Sequence, residues 1–88
     1  MMNNAQFART ISQTAKKVMK AKQFRYVDIE INYGLPYVSV GMNGCEFFAQ
    51  GEDASDIIAE AVLASNKTNL SVSTCLIWYL DNAGIFQK

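Results

Sequence analysis

The chain has 88 residues, half of them hydrophobic, and its eight basic and eight acidic residues give a formal net charge of zero. This length predicts one small domain spanning residues 1–88. No run approaches the roughly 18 apolar residues of a membrane span, and the sequence contains no histidine. The absence of histidine excludes histidine-based catalysis and the commonest zinc ligand. Without a secretory pattern at the N-terminus, we expect a cytoplasmic protein.

The charges are segregated along the chain. Residues 1–25 carry six basic and no acidic residues, whereas residues 26–66 carry seven acidic and no basic residues. Such asymmetry says little about the fold, but it indicates that the partners of the protein are charged.

The first segment predicts a helix from about Ala5 to Lys22, capped by Asn3 or Asn4. Apolar residues recur at helical spacing and form one stripe: Phe7, Ala8, Ile11, Ala15, Val18 and Met19. Basic residues lie away from that stripe: Arg9, Lys16, Lys17 and Lys20. One interpretation of the basic side is a solvated surface whose charges offset the negative helix end. The other is a face that binds phosphate or acidic groups.

The next segment, from Val27 to Gln50, predicts three antiparallel strands. Asn43-Gly44 is a strong hairpin signal, and a two-residue turn there pairs Met42 with Cys45, Val40 with Phe47 and Val38 with Ala49. These six residues share an apolar face, which the first strand extends with alternating residues: Val27, Ile29, Ile31 and Tyr33. The two faces match only if the first turn has an even number of residues, such as Gly34-Leu35 or residues 34–37.

The opposite sheet face is the candidate binding surface. It displays three aromatic residues among three acidic ones: Tyr26, Tyr37, Phe48, Asp28, Glu30 and Glu46. An aromatic centre with a polar rim is typical of protein interfaces. Two interpretations remain open: this face is exposed, or the last helix or a second copy of the chain covers it.

Two helices are predicted after the sheet. The first runs from about Asp53 to Ser65 with Asp53 as its N-cap, and a polar turn follows at residues 66–69. The second runs from about Val72 to Asn82, with Ser71 as its cap and Gly84 as a left-handed stop. A fourth strand is the alternative for residues 72–82, because apolar residues also alternate there. The predicted fold class is therefore α+β, with the order α-β-β-β-α-α and one face of a three-stranded antiparallel sheet covered by helices.

Catalysis and metal binding find little support. We expect Cys45 and Cys75 to be buried thiols that act as small hydrophobic residues. The acidic residues Glu52, Asp53 and Asp56 surround a helix start, where they favour the positive helix end, and they do not match a calcium-loop pattern. We therefore predict a protein that is not an enzyme and that uses no metal or cofactor.

The passage from Glu46 to Ile58 reads as a strand, an acidic turn and a helix. Together with the element order, it resembles small phage-encoded accessory proteins, including some anti-CRISPR inhibitors. The resemblance implies a non-enzymatic protein that occupies a binding surface of a host protein.

The leading hypothesis is a protein-binding inhibitor or regulator that approaches a basic surface of a host protein, such as one that normally holds nucleic acid. Its predicted contact residues are the aromatic and acidic ones named above: Tyr26, Asp28, Glu30, Tyr37, Glu46, Phe48, Glu52, Asp53 and Asp56. A second hypothesis is nucleic-acid binding through Arg9, Lys16, Lys17 and Lys20. A third is a homo-oligomer in which the basic helix of one copy meets the acidic region of another.

Overall fold

The computed structural model describes residues 3–31 and 34–86. The elements follow the predicted α-β-β-β-α-α order, and the three strands form an open antiparallel sheet with strand order β1-β2-β3. Their bounds are α1 Asn4–Lys22, β1 Tyr26–Glu30, β2 Tyr37–Met42, β3 Cys45–Gln50, α2 Glu52–Thr68 and α3 Val72–Asn82. The last element is a helix with the predicted bounds, so the alternative of a fourth strand is wrong.

Helix α1 begins with a reciprocal capping box. The Asn3 side chain accepts from the Gln6 backbone N–H at 2.8 Å, and the Gln6 side chain accepts from the Asn3 backbone N–H at 3.1 Å. Of the predicted apolar stripe, Ile11, Ala15 and Val18 are buried. Met19 is exposed instead, because it lies at the margin of the stripe, directly beside a buried position.

The observed strand register confirms the predicted β2–β3 pairing. Val38 pairs with Ala49, Val40 with Phe47 and Met42 with Cys45. Tyr37 pairs with Glu30, so the connection from β1 to β2 spans residues 31–36. The connection thus has an even number of residues, as the matching of the faces requires. It is longer than either predicted turn, Gly34-Leu35 or residues 34–37, and Tyr37 belongs to β2 rather than to the connection.

Two residues predicted for the apolar sheet face are exposed instead, and a third is not among the described residues. Ile31 lies beyond the end of β1 and is exposed. Cys45 shares the apolar face with Met42 but is exposed, because it begins an edge strand directly after the turn, at a corner of the sheet. Tyr33 lies outside the described residues.

Helix α2 begins one residue earlier than predicted, and its N-cap is Gly51 rather than Asp53. Gly51 has φ +68°, a conformation that disfavours other residues, and its N–H still bonds the Pro36 carbonyl at 2.8 Å as an extension of the sheet. The helix continues through most of the predicted turn and ends at Thr68, with Asn69 as its C-cap at φ +61°. Asp53 therefore lies in the first helical turn, where its charge favours the positive helix end.

Helix α3 is the most deeply buried helix. Its cap Ser71 accepts from the Thr74 N–H at 3.1 Å, and after its end the Ile85 N–H bonds the Leu80 carbonyl at 3.0 Å. Among its side chains, Leu76, Ile77 and Leu80 are almost completely buried. They join the core formed by α1, α2 and the apolar face of the sheet.

All three helices pack into one core against the apolar side of the sheet, which is lined by Val38, Val40 and Met42. Within residues 3–31 and 34–86 no helix covers the other side, where Phe48 is 52% exposed and Tyr26 is 42% exposed. None of the helices described has the length and hydropathy that crossing a membrane would need.

We predict that the core depends on the packing of α3. Replacing the fully buried Leu76 by alanine leaves a cavity at the centre of the core and should lower the free energy of unfolding by about 2–5 kcal/mol. The matched change Leu63→Ala, at a leucine that is half exposed on α2, should cost about 0.5 kcal/mol or less. Urea unfolding followed by circular dichroism gives both values, and equal losses would contradict the described core.

Candidate protein-binding face

Three rows of residues run across the side of the sheet that faces away from the helices. Each row takes one residue from β1, β2 and β3: Tyr26, Gly41 and Glu46; Asp28, Ser39 and Phe48; Glu30, Tyr37 and Gln50. We call these nine residues the outer sheet face. The register therefore brings together all six residues that the sequence predicted for this face.

A polar cluster joins Tyr26 and Glu46 of the first row with Ser39 of the second. The Tyr26 hydroxyl donates to Glu46 Oε2, and the Ser39 hydroxyl donates to the same oxygen at 3.0 Å. The Tyr26 ring lies over Gly41, where an added Cβ would overlap the ring. Gly41 is therefore needed for a close approach rather than for an unusual backbone conformation, and it allows Tyr26 to lie flat across the sheet and reach β3.

These hydrogen bonds shift the pKa values of Glu46 and Tyr26 in opposite directions. The bond from Tyr26, followed by the one from Ser39, lowers the pKa of Glu46 below its ordinary value, because both donors stabilise the carboxylate. The pKa of Tyr26 is raised, first by its hydrogen bond to Glu46, because losing the proton would break that bond. Glu46 is thus a charged residue held in a fixed position.

An aromatic pair occupies the rest of the face. Tyr37 and Phe48 are diagonal neighbours across β2 and β3, and their rings stack with centroids 6.1 Å apart and planes inclined by 23°. Phe48 keeps about half of its surface in water, and Tyr37 is half-buried. A preformed aromatic pair of this kind offers a rigid apolar contact that loses little conformational entropy on binding.

The predicted acidic residues lie around this aromatic pair in two groups. Asp28 and Glu30 belong to the edge strand β1, where Asp28 is exposed and Glu30 is half-buried. Glu52, Asp53 and Asp56 are exposed on the first turns of α2, which begins directly after β3. Asp28 and Glu30 therefore lie on the β1 edge of the outer sheet face, and Asp53 and Asp56 lie near Phe48 on the β3 side.

The second acidic group also lines a groove that the sequence reasoning missed. Phe48, Asp53 and Asp56 lie along a groove of about 420 Å³, together with Tyr79 and Ile85. Its walls come from β3, from α2, which follows β3 directly, and from the end of α3, which is about 30 residues further along the chain. No local sequence pattern records this approach of the chain after α3 to β3, although Ile85 keeps 38% of its surface exposed there.

The four basic residues of the alternative site lie on α1, where Arg9, Lys16, Lys17 and Lys20 are all exposed. All four lie on this one helix, and none belongs to the outer sheet face. The structure therefore keeps the two predicted sites on different elements.

The cysteines and carboxylates of the described residues form no group of three that could hold a metal ion. Cys75 is buried, and burial raises the pKa of its thiol although the Thr68 hydroxyl lies 3.9 Å from its sulfur. A thiol that is protonated at neutral pH is a poor nucleophile, so Cys75 acts as part of the core.

No known family model, curated protein or solved structure matches this chain.

We predict that Tyr26 sets the titration of Glu46. In Tyr26→Phe the carboxylate loses its main donor, so the pKa of Glu46 should rise toward its ordinary value. Because the native pKa is lowered, the interaction stabilises the fold at neutral pH, and this contribution is lost as the pH falls through the native pKa of Glu46. As the pH is lowered, the free energy of unfolding of the variant should therefore fall less steeply than that of the wild type.

Carbon-13 NMR titration of the Glu46 carboxylate measures this change. Tyr37→Phe is the matched control, because it removes a hydroxyl from the same face but not from this cluster. An unchanged pKa of Glu46 in Tyr26→Phe would show that the hydrogen bond does not control its charge.

Proposed function

We propose that the protein is a small non-enzymatic binding module that docks its outer sheet face on another protein. The observation that carries this proposal is the Tyr37–Phe48 stack on the outer sheet face, in which Phe48 is half exposed and Tyr37 is half-buried. Interfaces concentrate aromatic residues at their centre and polar residues at their rim. Leaving half of the Phe48 side chain in water forgoes about 1 kcal/mol of stabilisation that complete burial would give, which supports a role for Phe48 in binding.

The acidic border supports a basic surface as the site of docking. Residues 26–66 carry seven acidic and no basic residues, and they include the whole sheet. Acidic residues at the rim increase the rate of association with a basic partner, whereas the aromatic centre slows dissociation. Glu46 is oriented by Tyr26 and Ser39 before binding, so its side chain needs little further ordering.

A surface that normally holds nucleic acid is a common source of such positive charge. We therefore propose a host protein that binds nucleic acid, such as a defence protein, as the target, and a phage or mobile element as the source of the gene. The pattern of strand, acidic turn and helix from Glu46 to Ile58, which resembles anti-CRISPR-type inhibitors, supports the same proposal. Inhibition would be steric and electrostatic and would take place in the cytoplasm of the host cell.

One observation favours a second candidate function. Four exposed basic residues lie on α1, and the first 25 residues contain no acidic residue that would offset them. Such a helix also fits direct binding to phosphate groups of DNA or RNA.

We predict that Phe48→Asp abolishes capture of the target in a pull-down from host lysate. Loss of a central aromatic residue typically costs 2 kcal/mol or more, which is about thirtyfold in affinity. The matched control is Leu63→Asp, because Leu63 on α2 is exposed to almost the same extent, at 51%, but lies on a helix. Mass spectrometry identifies the retained proteins, and circular dichroism checks that both variants fold.

A host protein that wild type and Leu63→Asp retain and Phe48→Asp loses would support the outer sheet face as the binding site. Retention of the same protein by all three would contradict it. Recovery of nucleic acid that disappears in the double variant Lys16→Glu, Lys20→Glu would instead support the second candidate.

A further inference from the structure

We propose that the open edge of β3, with the groove beside it, binds an extended basic segment of the partner protein as a fourth strand of the sheet. This inference rests on the proposed function, since it assumes a protein partner, and it specifies the form that part of the partner takes. It shares the strand β3 and Phe48 with the outer sheet face, but it uses the backbone of that strand and the groove beside it.

The hydrogen-bond pattern shows which groups of β3 face the edge. The Gly51 N–H bonds the Pro36 carbonyl at 2.8 Å, which identifies Pro36 and Gly51 as a hydrogen-bonded position of the ladder. In an antiparallel ladder such positions recur at every second residue, so Ala49, Phe47 and Cys45 bond to β2. The backbone groups of the alternate residues Glu46, Phe48 and Gln50 therefore point away from β2.

That edge is open along the described chain. β3 is the last strand in the sheet order, and no described residue forms a backbone hydrogen bond with Glu46, Phe48 or Gln50 on this side. Proteins commonly block such edges with proline, lysine or a bulge. The strand Cys45–Gln50 contains none of these devices, so it presents a regular row of donors and acceptors to another strand.

The groove lies beside this edge and is lined mostly by apolar side chains, including Phe47, Ile57 and Ile85. Strand addition combines backbone hydrogen bonds with pockets for alternate side chains of the added segment. A groove of about 420 Å³ has room for one or two apolar side chains of a strand paired with β3.

The acidic residues on β3 and at the groove indicate which kind of added strand fits there. Glu46 lies on the edge strand itself, and Asp53 and Asp56 lie at the groove, whose lining within residues 3–31 and 34–86 includes no basic residue. A second copy paired through the same edge would bring these acidic groups of both copies together, and like charges at an interface are unfavourable. An extended segment that alternates lysine or arginine with apolar residues satisfies both the groove and its charge.

The test uses a fluorescein-labelled heptapeptide that alternates lysine with valine and carries leucine at its centre. A second peptide has the same sequence with N-methyl groups on the alternate amides that would face β3, so it cannot form the ladder. Fluorescence anisotropy at low salt measures the affinity of the full-length protein for each peptide. We expect the unmodified peptide to bind and the methylated peptide to bind at least about tenfold more weakly.

Two variants of α2 test the charge requirement. Asp56→Lys, at the groove, should weaken binding of the unmodified peptide about fivefold or more. Glu60→Lys is the matched control, because it makes a comparable charge reversal one turn further along the same helix, at an exposed residue that does not line this groove, and it should change binding about twofold or less.

Equal binding of the two peptides, equal effects of the two variants or no binding below about 1 mM peptide would each overturn the inference. The peptide assay does not involve the host protein or depend on its identity. If the peptide binds but no host protein is captured from lysate in a way that Phe48→Asp abolishes, only the proposed docking of the outer sheet face is refuted. Capture without peptide binding would refute only the strand addition.

Discussion

The alignment of β2 with β3 is the constraint on which the rest of the structure depends. Successive residues of a strand point to opposite faces, so pairing Val38 with Ala49 sends Val38 and Val40 into the core and leaves Ser39 and Phe48 on the other side. A slip of one residue would exchange the two sets. The helices can cover only one face, and they pack on the one that this alignment makes apolar.

The outer sheet face has an organisation of its own. In one part, the Tyr26 ring crosses Gly41 and orients Glu46, and in the other the rings of Tyr37 and Phe48 stack. Both arrangements join neighbouring strands through side chains and therefore also stabilise the sheet. A face built in this way combines a fixed negative charge with an exposed apolar surface, and this combination suits a basic protein surface with an apolar centre.

Much of this arrangement could be predicted from sequence because its signals are local. The Asn43-Gly44 turn fixes the alignment of two strands, and alternation along those strands then assigns each residue to a face. The Asn3 and Ser71 caps mark helix starts in the same way, since each cap side chain bonds a backbone N–H three residues away.

The remaining features depend on contacts between distant parts of the chain. Gly51 takes the N-cap position of α2 while its N–H bonds Pro36, which immediately precedes β2, and the local preference of Asp53 for a cap position does not record this distant contact. The groove exists only because the end of α3 approaches β3, and no local pattern records that approach. Similarly, the Tyr26 ring lies over Gly41 across two strands, and no local pattern identifies Tyr26 as the ring that approaches this glycine.

The central claim is that the outer sheet face is open to solvent in the free protein. NMR relaxation caused by a soluble, uncharged gadolinium chelate tests it directly, because the effect on each signal falls steeply with distance from solvent. The account predicts strong relaxation of the Phe48 and Tyr26 ring protons and weak relaxation of the Val38 and Val40 methyl groups. Weak relaxation of Phe48, as in the core, would mean that a second copy or another part of the chain covers this face, and it would contradict the account.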